Sequence, residues 1–188
     1  MPEATTVPQS VDLQWQLTLD RIDRWLAEDF LRLRWWVLIV FYIACAMLWW
    51  KLLDKRRLKE IVLFTALAYI IALTINEYGQ ELILWDYPVD VIPFFPPLSS
   101  VNLLLLPPLY SLVYQRFSSL KTYFPAMLVA TGLFCFAVEP LLSWGGFFEL
   151  LNWKYWLSFP VYTAMALLMR GLALAAFKIT AKYRTAKG

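Results

Sequence analysis

Histidine is absent from this chain of 188 residues, and cysteine and glycine are scarce. Without histidine there is no Ser-His triad, no imidazole acid–base catalyst and no histidine metal ligand. Cys45 and Cys135 each stand inside an apolar run without a partner at metal-ligand spacing, so we interpret both as small packing residues. The six glycines form no phosphate-binding loop, and their one adjacent pair, Gly145–Gly146, is interpreted as a turn. The sequence therefore predicts neither a metal site nor a cofactor.

Charge is also scarce: only 16% of the residues are charged, whereas 61% are hydrophobic and 18% aromatic. Together with a mean hydropathy of +0.56, this composition exceeds what a soluble domain of this size can bury. Five apolar runs have about the length needed to cross roughly 30 Å of hydrocarbon, namely residues 35–53, 61–78, 98–114, 124–142 and 156–177. We therefore predict an all-α, polytopic membrane helix bundle with five transmembrane helices. The third helix should be kinked or broken, because Pro107–Pro108 removes backbone donors.

The region before the first run has a pattern of its own. Apolar residues recur at helical spacing from Trp15 to Leu33, with charged residues between them. This spacing predicts an amphipathic interfacial helix over residues 11–34, lying on the membrane or on its own bundle, with a partner-binding helix as the alternative. Residues 1–10 are expected to form a disordered lead, 35–177 the five-span membrane domain and 178–188 a basic cytoplasmic tail.

One further absence bears on orientation: residues 73–102 carry four carboxylates but no lysine or arginine. Eleven lysines and arginines lie in the first connection, the third connection and the C-terminal tail, against five on the opposite side. Because positively charged loops are retained in the cytoplasm, we predict an external N-terminus and a cytoplasmic C-terminus. The basic clusters are short and adjacent to the membrane, which favours membrane lipid as their partner and argues against nucleic acid.

Several polar residues are predicted at similar depth in the outer third of the bilayer. Glu77 and Glu139 each lie about fifteen residues along an outward-running helix, a rise of roughly 22–24 Å. Since charge within hydrocarbon is costly, we expect the two carboxylates to converge inside the bundle, with Lys154 as their counter-ion. The alternative is that both simply end their helices at the headgroups. The predicted pocket residues are Glu77, Glu81, Asn102, Glu139, Trp153, Lys154, Tyr155 and Ser158. Arg170 is expected to snorkel to the inner face or to form a local ion pair.

The chain also resembles a known family in five consecutive segments. These are "WWKLLDKRRLKEI", "NEYGQELILWDYP", "LLLLPPLYSLVYQRF", "FAVEPLLSWGGF" and "LLNWKYWLSFPVY". In this order they resemble an uncharacterised family of small multi-pass membrane proteins of endospore-forming Firmicutes, over about residues 49–165. The matching polar positions include Glu77, Tyr87, Gln115, Glu139, Trp153, Lys154 and Tyr155. The resemblance implies a bacterial plasma membrane or spore membrane and carries no established activity.

Three functions remain open at this point. We favour a non-enzymatic membrane protein whose outer-leaflet polar pocket binds a small molecule, a lipid or a partner subunit. The second is a membrane-embedded enzyme that uses Glu77 or Glu139 as an acid or base on a lipid-like substrate. The third is a transport or permeability component, in which the kink at Pro107–Pro108 exposes backbone carbonyls. Five spans are few for a transporter monomer, so the third function requires a homo-oligomer.

Overall fold

The computed structural model describes residues 9–93 and 100–185, with side chains as far as Lys178. The helices are α1 (Gln9–Arg24), α2 (Leu33–Leu52), α3 (Leu58–Glu81), α4 (Val101–Arg116), α5 (Leu120–Leu133), α6 (Glu139–Trp144) and α7 (Tyr155–Thr185). π-Helical turns at Trp25–Asp29 and Phe134–Val138 follow α1 and α5, and a 3-10 turn at Lys55–Arg57 precedes α3. Two short strands, β1 (Trp85–Asp86) and β2 (Glu149–Leu150), pair antiparallel.

Within the described residues, four helical segments are long and apolar enough to cross a membrane: Leu33–Leu52, Lys55–Glu81, Leu120–Trp144 and Tyr155–Lys178. They match four of the five predicted runs and confirm the membrane-compatible, mostly helical class. The remaining run, the third (residues 98–114), corresponds to α4, which has 16 residues and is not among these four. Residues 98 and 99, where that run was predicted to begin, lie outside the described residues. The number of spans therefore stays a prediction.

Helix α4 lies at the centre of the bundle, in contact with α2, α3 and α5. Nine of its residues are buried, and it is one continuous helix through Pro107 and Pro108. The predicted break at these prolines is thus not confirmed. Around α4, large side chains from three further helices, Phe64, Met127 and Met169, close the apolar core. A short helix can be stable here because its neighbours bury most of its surface.

The N-terminal arm, defined here as Gln9–Asp29, is held near one end of the bundle. Helix α1 begins at Gln9, two residues before the predicted boundary, and none of its residues is buried. Trp25 connects the arm to the segment before α4, because its Nε1 donates to the Asp90 carbonyl at 2.9 Å. Trp35 of α2 contacts the same segment, with Nε1 donating to the Val91 carbonyl at 3.2 Å. The arm, β1 and β2 mark the same end of the bundle, which we call the arm end.

The opposite end, which we call the basic end, is held together by side-chain bonds between connections. Gln115 accepts from the Asp54 amide at 2.9 Å and donates to the Leu52 carbonyl at 2.9 Å. Arg170 is buried and donates to the carbonyls of Phe117 and Ser118. Arg170 was expected to snorkel or to find an acidic partner. It reaches two backbone carbonyls of the connection after α4, and no ion pair joins it to a carboxylate among the described residues.

The C-terminal boundary also differs from the prediction. Helix α7 continues to Thr185, so most of the predicted tail of residues 178–188 extends the last spanning helix. Of the predicted disordered lead, residues 1–8 lie outside the described residues, and residues 9 and 10 belong to α1.

Candidate functional site

Six buried polar residues from five parts of the chain meet towards the arm end. We call them the polar cluster, and each is less than one-tenth exposed: Asn76, Tyr87, Asn102, Glu139, Ser158 and Tyr162. Asn76 belongs to α3, Asn102 to α4, and Ser158 and Tyr162 to α7. Glu139 opens α6, and Tyr87 lies just after β1. Polar side chains buried between membrane helices usually mark a functional site, since each is costly to remove from water.

The π-helical turn explains how Glu139 comes to face inward. Its amide donates to the Phe134 carbonyl, five residues earlier, instead of four as in an α-helix. Pro140 follows and has no amide hydrogen to continue the ordinary ladder. The wider turn joins the Glu139 backbone to that of Phe134, which is itself buried in the core. The Glu139 carboxyl group is consequently 0% exposed.

Hydrogen bonds connect the cluster across helices. The Tyr162 hydroxyl donates to Glu139 Oε1 at 2.8 Å and accepts from Asn102 Nδ2 at 3.4 Å. The Tyr87 hydroxyl donates to Asn76 Oδ1, and Asn76 Nδ2 donates to the Ala72 carbonyl at 2.8 Å. Burial, reinforced by the nearby Glu139 carboxylate, raises the pKa of Tyr87 well above its ordinary value. Tyr87 therefore stays a neutral donor at physiological pH.

Two acceptors of the cluster have no hydrogen-bond partner among the described residues: Glu139 Oε2 and Asn102 Oδ1. The Ser158 hydroxyl accepts from Trp153 Nε1 at 3.1 Å and lies close enough to interact with the Glu139 carboxyl group. Most buried polar atoms in folded proteins have a partner, so these two acceptors need an explanation. Both require a donor, and the carboxylate also favours positive charge.

A small polar cavity lies between the N-terminal arm and the segment around β1. Its volume is about 140 Å³, and Tyr87 forms part of its wall. Two arginines and four carboxylates also line it: Arg21, Arg24, Glu28, Asp29, Asp86 and Asp90. Because the Tyr87 hydroxyl belongs to the polar cluster, this side chain separates the cavity from the buried site. Tyr87 is thus shared by the cavity wall and the polar cluster.

The structure places the predicted pocket residues in three groups. Asn102, Glu139 and Ser158 belong to the polar cluster. Trp153 and Tyr155 are half-buried and pack against an apolar cluster formed by Trp85, Tyr87, Val101 and Phe148. The Trp153 and Trp85 rings meet edge-on, with their centroids 5.6 Å apart. Glu77, Glu81 and Lys154 are exposed.

The exposed residues correct two expectations. Glu77 was expected to converge with Glu139, but it lines a surface cleft with arm residues Gln14 and Arg21. Lys154 was expected to be the counter-ion, but no ion pair joins it to a carboxylate in the part of the chain that the structure describes. The reason for the first difference is helical phase. The buried face of α3 passes through Ala72, Asn76 and Gly79, which turns Glu77 about 100° away from it.

Sequence reasoning missed three members of the cluster: Asn76, Tyr87 and Tyr162. Asn76 carried a usable signal, because it is a polar residue four positions from Ala72 and three from Gly79. Small residues at this spacing are typical of a helix face that packs against another helix in a membrane. Tyr87 and Tyr162 carried no such signal, since tyrosines near the ends of apolar runs are also the ordinary residues of an aromatic belt.

No protein-family model, no curated protein and no solved structure matches this chain. The resemblance seen over residues 49–165 therefore stays a prediction, and the function has to be argued from the site itself.

Proposed function

We propose that this chain is a non-enzymatic integral membrane protein that binds the protonated amine of a small molecule or lipid headgroup at its polar cluster. The observation that supports this most directly is Glu139, which is fully buried and has one carboxylate oxygen without a hydrogen-bond partner among the described residues. A carboxylate in such a place is costly unless a cation or donors compensate it. A bound ammonium group would supply both.

The geometry of the cluster favours an ammonium group over a neutral ligand. The unpartnered atoms, Glu139 Oε2 and Asn102 Oδ1, are both acceptors, and Tyr162 bonds to both of these residues. A primary ammonium group carries three donors and a charge, so it can bond to both acceptors at once. Of the described cationic side chains that could compete, Lys154 is exposed and Arg170 is bonded to carbonyls at the basic end.

The charges that line the cavity beneath the arm also favour a cationic ligand. The cavity beneath the arm is lined by four carboxylates and two arginines, and an excess of negative charge in a cleft attracts cations. In the predicted orientation this cavity opens to the outside, and the Tyr87 side chain would have to move for a ligand to pass. The ligand is then taken from the external side or from the outer leaflet.

The experiment compares two organic cations of equal charge in thermal unfolding of the purified protein. Methylammonium has three N–H donors, whereas tetramethylammonium carries the same charge without any. We expect methylammonium at high millimolar concentration to raise Tm and tetramethylammonium to leave it unchanged, because a ligand stabilises the state that it binds.

Glu77 offers a matched control for this experiment. Glu139→Gln removes the buried charge and should abolish the methylammonium shift, whereas Glu77→Gln removes an exposed carboxylate and should preserve it. Mass spectrometry of small molecules and lipids that co-purify with the same three proteins would identify the natural ligand. Equal shifts in wild type and Glu139→Gln would refute the proposal.

A further inference from the structure

Helix α5 has an apolar cleft on each of its two flanks, and Lys121 belongs to both. The smaller cleft has a volume of about 370 Å³ and lies against α7, where Leu167 forms part of its wall. The larger has a volume of about 760 Å³ and lies against α4, where Leu109 and Phe117 line it. Both clefts are separate from the polar cluster. Lys121 thus lies at the ends of both apolar clefts.

From this arrangement we infer that the two clefts hold the acyl chains of one anionic phospholipid, whose headgroup binds Lys121. The larger cleft follows α5 and the π-helical turn after it, from Lys121 to Val138. This is a rise of roughly 26 Å at about 1.5 Å per residue, long enough for a chain that reaches from the headgroup region towards the bilayer centre. Ala126 and Ala130, four residues apart, leave room in its wall. The smaller cleft follows α5 for about one turn, from Leu120 to Phe124, so it would receive only the first part of the second chain.

The charge distribution favours an anionic headgroup. No carboxylate occurs between Asp90 and Glu139 in the sequence, whereas Arg116 and Lys121 flank the connection between α4 and α5. Arg170 adds a third positive charge at this corner, and its two terminal nitrogens donate to the Phe117 and Ser118 carbonyls. The predicted orientation places the corner at the cytoplasmic leaflet, where anionic lipids and basic residues attract one another.

The same charges argue against a second copy of the chain in these clefts. A two-fold axis along the membrane normal keeps both copies at the same depth, and an interface of this kind brings identical patches together. Lys121 of each copy would then approach the other across apolar walls, where like charges repel and no carboxylate of α4 or α5 is available to separate them. The carboxylate of Glu60 lies near Arg170 but is paired with Arg57, so a lipid phosphate would give Lys121 a partner of opposite charge.

The test measures lipid affinity by native mass spectrometry on the full chain in mild detergent, with dioleoyl phosphatidylglycerol against dioleoyl phosphatidylcholine. Wild type should prefer the anionic lipid, and Lys121→Gln should weaken its binding about fivefold, the factor expected for one lysine near a charged membrane surface. Lys121→Arg should retain the preference. Lys59→Gln, an exposed basic residue at the same end that lines neither cleft, should change little.

A second variant tests the clefts themselves. Ala130→Trp fills the larger groove without touching the headgroup site, and should reduce the affinity for both lipids. Circular dichroism confirms that each variant is folded. Equal losses from Lys121→Gln and Lys59→Gln would overturn the inference, because they would indicate general surface attraction. Loss of a dimer in Ala130→Trp with unchanged lipid binding would also overturn it, since the groove would then belong to a second copy.

Discussion

Removing one hydroxyl group, by Tyr162→Phe, should destabilise the bundle more than any comparable change at its surface. This hydroxyl is the shared partner of two buried groups: it donates to Glu139 Oε1 at 2.8 Å and accepts from Asn102 Nδ2 at 3.4 Å. The substitution keeps the aromatic ring, which packs edge-on against Phe134 with centroids 6.0 Å apart. It therefore changes hydrogen bonding with little change in packing.

The expected magnitude follows from these two bonds. Hydrogen bonds between membrane helices contribute on average about 0.6 kcal/mol and at most about 1.7 kcal/mol. The bond to Asn102 is long, so its contribution to stability should lie at the low end of this range. The bond to Glu139 has a carboxylate acceptor in a fully buried position, and leaving such a group without its donor costs about 1–3 kcal/mol. We therefore expect the free energy of unfolding to fall by about 1–3 kcal/mol.

The measurement is reversible unfolding in mixed micelles of dodecyl maltoside and SDS, followed by far-UV circular dichroism. Tyr69→Phe serves as the control, because Tyr69 is an exposed tyrosine of α3 and its change should stay within about 0.5 kcal/mol. A double-mutant cycle of Tyr162→Phe with Glu139→Gln should give a coupling energy of at least about 0.5 kcal/mol. If Tyr162→Phe behaves like Tyr69→Phe and the coupling is zero, the cluster does not form as described.

Two further predictions test the arm end and the topology. Gly79→Ala should lower the free energy of unfolding by about 1–3 kcal/mol, because the added methyl group would overlap the Trp85 indole. Gly171 has open space around it, so Gly171→Ala should be neutral in the same unfolding assay. A cysteine placed at Glu149 in a cysteine-free background should react with an impermeant reagent from outside the cell, and one placed at Lys59 should not. The reverse labelling pattern would contradict the predicted orientation and, with it, the external approach to the polar cluster.

The membrane class was predictable because it depends on composition and length alone. Runs of about 20 apolar residues are visible without any knowledge of tertiary contacts, and four of them correspond to helices of spanning length. Helix α4 shows where this reasoning ends. Its sequence carries two prolines, yet it stays helical because neighbouring helices bury it. Burial by neighbouring helices cannot be predicted from a short stretch of sequence.

The connections at the arm end could not be predicted for a related reason. The pairing of Trp85 with Leu150 and the bond from Trp25 to the Asp90 carbonyl join residues 65 positions apart. Strands of two residues have no periodicity to detect, since alternation needs at least four residues to stand out. The tryptophans were visible in the sequence, but their position near segment ends indicated only the membrane interface.

Glu77 and Asn76 show how sharply a site depends on helical phase. Depth in the membrane was estimated from the distance along the helix, which gives the same value for adjacent residues. The directions of their side chains around the helix axis, however, differ by about 100°. In the structure Asn76 is buried and Glu77 is exposed. The small residues Ala68, Ala72 and Gly79 identify the buried face of α3. A prediction based on that face would have selected Asn76 instead of Glu77.

The cost of the polar cluster argues that it serves more than packing. A buried ionic or polar group can often be replaced by apolar side chains of similar volume without loss of stability, and sometimes with a gain. In a bilayer the argument is stronger, because helices already associate through small residues and close packing. Several buried polar atoms lack a partner among the described residues, but Glu139 Oε2 is the one among them that belongs to a carboxyl group. A carboxylate in this position is what the proposed cationic ligand would compensate.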